Sequence, residues 1–197
     1  MMAESDRARW DERYAVGDWP RFDRPSRVLR DAEAWLAEPG LALDVACGAG
    51  RNALWLARRG FKVVGVDISW EGLKRLRRRA RDEKLDIHLV LADLERFAFP
   101  PASFDLIVNA RFLLRSLFPS FRSALKPGGL LLVDTFSVHE IEELGGDIRR
   151  AYALERGELG QVFRDFEILL YEEGIFEEPE GERGLARLAA RRPTGAR

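Results

Sequence analysis

The sequence predicts an α/β three-layer sandwich around a mostly parallel sheet of seven strands, the last pair an antiparallel hairpin. Three observations carry this. Five short apolar, β-branched segments alternate with amphipathic helical segments between residues 41 and 136. Strands buried on both faces read as continuous apolar runs, so this alternation means a parallel sheet covered by helices on both sides. The final segments, 166–178 and 182–192, are separated only by Pro179, Glu180 and Gly181, too few residues for a crossover helix. The 197 residues also suit a single domain.

In chain order, Ser26 is expected to cap a helix whose apolar face is Val28, Leu29, Ala32, Trp35 and Leu36, ending at Pro39 and Gly40. LALDVA (41–46) is the first strand and CGAG (47–50) a glycine turn. A helix over 51–59 carries Ala53, Leu54, Leu56 and Ala57 and stops at Gly60. FKVVGVD (61–67) is the second strand. Ser69 caps the next helix, with Leu73, Leu76 and Ala80 inward. DIHLVLA (86–92) and FDLIVNA (104–110) are the third and fourth strands. A helix over 112–125 is expected to end at Lys126-Pro127-Gly128-Gly129, before LLLVDTF (130–136), the fifth strand. A helical stretch around 147–163 precedes the hairpin. The expected division is an N-terminal lid (1–25), one domain (26–192) and a flexible tail (193–197).

Composition narrows the function. Lys plus Arg total 32 and Asp plus Glu 33, a net charge of −1, so no global basic field points to nucleic acid or an anionic membrane. No apolar run has the roughly 18 to 20 residues of a membrane-spanning helix, and the first residues lack an apolar leader. A cytoplasmic protein is expected. The single cysteine excludes an internal disulfide framework and a multi-cysteine zinc site, and no metal is expected. Arginine outnumbers lysine 28 to four, with two asparagines and one glutamine. Scarce amides suit a thermophile, and a GC-rich genome gives the same arginine bias.

Chemistry concentrates at the first strand–turn–helix. Gly48 and Gly50 allow backbone to approach a ligand, and the following helix presents its positive end. Gly48, Gly50 and Ala53 satisfy G-x-G-x-x-G/A, a pattern that a ligand-free tight turn also meets. Asp67 ends the second strand, where a carboxylate accepts both hydroxyls of a ribose; its alternative is a helix-capping role. Asp93 ends the third strand, placed either to accept from an adenine amino group or to start a turn. All lie at the carboxyl ends of strands, where open α/β sheets bind ligands. Together they point to a nucleoside ligand.

D-V-A-C-G-A-G, V-V-G-V-D-I-S, A-D-L, F-D-L-I-V and L-K-P-G-G-L-L-L-V, in this order and spacing, resemble the class I S-adenosylmethionine-dependent methyltransferases, which have a Rossmann-like fold. C-G-A-G-R-N-A-L-W-L-A, with W-D-E-R-Y near the start, is similar to the tellurite-resistance branch, itself similar to the thiopurine methyltransferases. The resemblance is strongest over 40–137. It implies S-adenosylmethionine as cofactor and S-adenosylhomocysteine as product. By the same resemblance Asp44 orients the methionine amino group, and Ala46, Cys47, Gly48 and Gly50 bring backbone against methionine and ribose. Asp67 takes the ribose hydroxyls, Ile68 packs on adenine, Asp93 binds its amino group and Leu94 lies behind. Asn109 and Ala110 border the sulfonium. Arg13 and Tyr14 on an N-terminal lid approach the methionine carboxylate or the pocket, and Arg51 and Asn52 match the branch's R-N pair. The chain departs from the branch after the fourth strand, reading NARFLLRSLFP, which touches acceptor specificity rather than cofactor binding.

A sulfonium donor needs little acid–base help, since alignment supplies most of the rate. No catalytic cluster stands out, which favours soft sulfur, selenium or tellurium nucleophiles in a small-molecule acceptor. Arg111, at the end of the fourth strand, is a candidate for binding an anionic acceptor group, or a surface salt bridge. His139 is a candidate acid or base, and His88 a packing residue or a satisfied polar group. Cys47 is either a thiol activated by the helix end or a small turn residue. Trp10, Arg13 and Tyr14 share one helical face, as a lid or as simple docking. The run Arg75, Arg77, Arg78, Arg79 and Arg81 reads as a solvated helix face. Two other functions fit the turn: an NAD(P)-dependent oxidoreductase, and an S-adenosylmethionine-binding protein without turnover. A monomer or homodimer is expected.

Overall fold

The computed structural model describes residues 2–16, 24–36 and 38–195. Parts of the expected lid (residue 1 and 17–23) and tail (196–197) lie outside these. Seven strands form one sheet in the order β3-β2-β1-β4-β5-β7-β6. β1 (Leu41–Val45), β2 (Lys62–Asp67), β3 (Ile87–Leu91), β4 (Phe104–Ala110) and β5 (Leu125–Phe136) run parallel; β6 (Glu167–Glu178) and β7 (Gly181–Arg191) are antiparallel, β7 against β5. The mixed sheet and the closing hairpin are as the sequence predicts. Topology reverses at β1, so β1 and β4 diverge there and open a crevice at their carboxyl ends.

Side chains alternate across the strands and divide the core. Leu43, Val45, Ile107, Leu131, Val133 and Leu188 meet Phe118 and Phe121 of α5 (Phe118–Ala124) and Leu159 of α7 (Glu158–Val162). Ala42, Val63, Leu106, Val108, Leu132 and Ala189 meet Val28 and Leu29 of α2 (Arg27–Asp31), Leu54 and Leu56 of α3 (Arg51–Ala57), and Leu73 and Leu76 of α4 (Trp70–Asp82). An N-terminal helix, α1 (Met2–Ala15), packs on α4, and α6 (Val138–Glu142) packs on β7. No helix among the described residues is long and apolar enough to cross a membrane.

The structure corrects four expectations. Ser26 occupies the start of α2, but its hydroxyl makes no capping bond; its N–H instead donates to Asn52 Oδ1 at 2.8 Å. The helix expected over 112–125 begins only at Phe118, with Pro119 in its first turn, where the missing N–H costs nothing. Asn109 Nδ2 donates to the Phe112 carbonyl at 2.9 Å and holds the preceding residues in a loop. Lys126-Pro127-Gly128-Gly129 does not precede β5 but lies inside it: Phe104 pairs with Leu125 and Leu106 with Leu130, so the extra residues form a bulge with Gly128 at φ +79°. The stretch 147–163 holds only a 3-10 turn (Arg150–Tyr152) and α7, interrupted by Gly157 at φ +72°.

Candidate active site

The turn after β1 gathers left-handed backbone. Ala46 (φ +51°), Gly48 (φ +52°) and Gly50 (φ +83°) are all left-handed within five residues. A non-glycine residue there costs about 1 kcal/mol or more and persists only where its surroundings hold it. Asp67 is what holds it: Gly48 N–H donates to Asp67 Oδ2 at 2.7 Å, and Ser69 N–H to Oδ1, also at 2.7 Å. The Ile68 amide also bonds this carboxylate, so backbone takes three of its roughly four acceptor positions. Burial raises its pKa, and the Ser69 and Gly48 amides oppose that rise. The capping alternative belongs to Ser69, whose hydroxyl accepts from Gly72 N–H at 3.1 Å.

The glycines face the protein as well as any ligand. A β-carbon on Gly48 would collide with the Tyr14 hydroxyl, and one on Gly50 with Leu76. Tyr14 is buried beneath α1, and its ring also lies against Gly72. Burial first, then the charge of Asp67, raises its pKa well above the ordinary phenol value. Trp10 packs on Tyr14 with centroids 6.2 Å apart, and the exposed Arg13 stacks over Trp10 at 5.0 Å. One residue that sequence reasoning misses completes the lid: Asp11 Oδ1 accepts from Ser69 Oγ at 2.7 Å and from Glu71 N–H at 3.0 Å. Its partners are 58 and 60 residues away, so no local pattern announces it.

Asp44 is buried at the base of the turn and accepts from Ala53 N–H at 2.9 Å. Burial lifts its pKa to about 7, against the Ala53 amide, the Arg51 charge and the Asn52 side chain. Asn52 accepts from Ser26 N–H through its side-chain carbonyl, which ties α2 to α3, and its side chain also bonds Asp44. Cys47 is buried and its pKa is raised by burial, then by Asp44 and Asp67, so it is a packed thiol rather than an activated nucleophile. Asp93 Oδ1 accepts from Glu95 N–H at 3.0 Å, the turn-starting role, while Leu94 is buried and Ile68 half-buried beside α4. Asn109 is 1% exposed and its Oδ1 accepts no hydrogen bond from the described residues; Ala110 follows at the strand end.

On the other side of β4 the register lines up Ala110, Asp134, Arg187 and Glu172 across four strands. Arg111, in the left-handed region at φ +59°, joins them, and four side chains close a ring. Asp134 Oδ1 lies 3.8 Å from Arg111 Nε and Oδ2 3.9 Å from Arg187 Nε; Glu178 binds Arg111 Nη2 at 3.0 Å and Arg187 Nη2. Arg187 is fully buried, stacked on Phe176 at 4.0 Å. Burial raises the pKa of Asp134 against the pull of Arg111 and Arg187. Arg51 reaches the same place: burial lowers its pKa, followed by repulsion from Arg111. The charge of Arg111 is therefore engaged by two carboxylates, the salt-bridge alternative, though a half-buried rather than a surface one. His139 is likewise engaged, by Glu143 and by Arg156 at 3.1 Å from Nε2. His88 lies on a strand but is exposed, beside Asp86, and is not a packing residue.

Sheet order, the left-handed turn, and Asp44, Asp67 and Asp93 at the carboxyl ends of β1, β2 and β3 match what the motif resemblance implies for the class I methyltransferase fold. Comparison with known proteins agrees. Residues 42–129 match the family described as a methyltransferase domain. YqeM of Bacillus subtilis (strain 168), a methyltransferase by name, is 30% identical over 143 residues, 68% of this chain and 57% of YqeM. TehB of Haemophilus influenzae aligns at 27% identity over 151 residues (73% of this chain, 52% of TehB), and its crystal structure superposes with a TM-score of 0.70 at 24% identity, covering 84% of this chain and 61% of that one. The Burkholderia thailandensis 1,6-didemethyltoxoflavin-N1-methyltransferase, solved with 1,6-didemethyltoxoflavin and S-adenosylhomocysteine, gives a TM-score of 0.72 at 17% identity, covering 98% and 89%. These similarities bear out the family resemblance read from the motifs and the tellurite-resistance likeness. The chain spans about half the length of the curated relatives it matches.

Proposed function

We propose that this protein binds S-adenosylmethionine and transfers its methyl group to a small molecule. The observation that carries the reading is Asp67: a buried carboxylate at the end of β2, oriented by the Gly48, Ser69 and Ile68 amides beside a strained glycine turn. Such a group suits the paired hydroxyls of a ribose. Asp44 then holds the methionine ammonium, Ile68 and Leu94 flank the adenine, and Asp93 accepts from its amino group. Trp10, Arg13 and Tyr14 cover the turn, and Asn109 and Ala110 border the sulfonium. Ala46, Cys47, Gly48 and Gly50 form the turn that the methionine and ribose lie along, with Arg51 and Asn52 opening α3 behind it. When bound, the cofactor supplies a methyl group already activated as a sulfonium.

What the chain contributes is alignment and exclusion of water. Three side chains could transfer a proton: His139 and Asp134 are tied up with neighbouring charged side chains, and Asp44 is taken by the methionine ammonium. A site without a free base favours an acceptor that arrives already ionised, a thiolate or a selenium or tellurium anion, approaching in line with the sulfonium. Arg111 still reaches solvent at 21% exposure, so an anionic acceptor would meet it in competition with Asp134 and Glu178. The reading carries with it a cytoplasmic monomer or homodimer acting on a small molecule, with no nucleic-acid or membrane partner.

The test is methyl transfer from labelled S-adenosylmethionine to a panel of thiols, selenite, tellurite, phenols and amines. Turnover on the sulfur or chalcogen members is expected. Turnover confined to phenols or amines would overturn the soft-nucleophile preference, and no turnover on any acceptor despite cofactor binding would favour the non-catalytic alternative.

A further inference from the structure

The lid and the cofactor turn are joined by one hydrogen-bonded path. Ser69 N–H donates to Asp67 Oδ1, and Ser69 Oγ donates to Asp11 Oδ1 while accepting from Gly72 N–H. A hydroxyl has a single donor and two lone pairs, so Ser69 can serve Asp11 and the first turn of α4 together. Asp11 also takes the Glu71 N–H, an amide with no partner inside the helix. Three residues further along α1, Tyr14 lies against Gly72 and closes over Gly48. Asp11 thus anchors the helix that carries Tyr14 to the segment that carries Asp67. Both anchoring bonds involve a carboxylate, the stronger kind of hydrogen bond.

We propose that Asp11 is a positioning residue for the cofactor site: it acts through Tyr14, setting how deeply that ring covers the Gly48 turn. This rests on the cofactor reading above. Its consequence is specific, because an ordinary docking contact would contribute to stability without altering ligand affinity.

The experiment is calorimetric titration with S-adenosylhomocysteine of the full chain and of Asp11→Ala, Asp11→Asn, Tyr14→Ala and the Asp11→Ala/Tyr14→Ala double variant, each well below its melting temperature. Asp11→Ala is expected to bind about tenfold more weakly, in line with loss of a charge-assisted pair. Asp11→Asn recovers most of that, since its amide oxygen still accepts. The double variant binds no more weakly than Tyr14→Ala. If Asp11→Ala lowers only the melting temperature, Asp11 is a docking contact and the proposal fails. Additive losses in the double variant, or no rescue by asparagine, also overturn it. If the parent chain itself does not bind, the cofactor reading falls and the proposal with it, an outcome distinct from a parent that binds and a variant that matches it.

Discussion

The hydroxyl of Tyr14 stands where a β-carbon on Gly48 would go. Gly48 therefore serves two ends: a left-handed turn that glycine alone adopts without strain, and a seat for the ring of α1. Gly48→Ala combines left-handed strain with a steric collision and is expected to destabilise the fold by about 2–4 kcal/mol. Adding Tyr14→Phe should recover about 1 kcal/mol by removing the colliding oxygen. Urea unfolding of the single and double variants measures both, and an equal loss in the two backgrounds would show that the collision contributes nothing.

Asp44 gives the site a pH dependence. Its native pKa, near 7, is raised above the ordinary carboxylate value by burial. The native state therefore holds a proton that the unfolded chain has released, and stability falls as pH rises from about 4 to 7. Binding of an ammonium runs the other way, because it requires the ionised carboxylate. S-Adenosylhomocysteine affinity should climb by up to tenfold per unit as pH approaches 7, then level off. In Asp44→Asn the climb should be gone. A slope unchanged in the variant would assign the titration to another group.

The buried ring yields a third expectation. Arg187→Met leaves Asp134 and Glu178 facing one guanidinium instead of two, and should cost about 3–5 kcal/mol of stability. Arg187→Met/Asp134→Leu should be more stable than Arg187→Met alone, since it removes the stranded carboxylate. Chemical denaturation decides this; a single variant within about 1 kcal/mol of the parent would mean that the ring holds little energy.

The sheet and the glycine turn were legible in the sequence because both have local signatures: apolar runs of strand length, and glycines where backbone must turn left-handed. The start of α5 was not, because FLLRSLF is equally apolar in a helix or a loop, and only the contact between Asn109 and the Phe112 carbonyl decides. Asp11 was hidden by the 58 residues separating it from Ser69. The ring left a faint signal: Asp134 inside LLLVDTF and Arg187 inside LARLAA are opposite charges in two apolar strands. Antiparallel register sets them face to face, and register cannot be read before strand order is known.

The central claim is that the Asp67 turn binds a sulfur nucleoside. Its most direct test is calorimetric titration of the pure protein with S-adenosylmethionine, S-adenosylhomocysteine and NADH, alongside Asp67→Ala with its folding confirmed by circular dichroism. Micromolar binding of both sulfur nucleosides, little of NADH, and loss of binding in the variant are expected. A preference for NADH, or nucleoside binding that survives in Asp67→Ala, would contradict the claim.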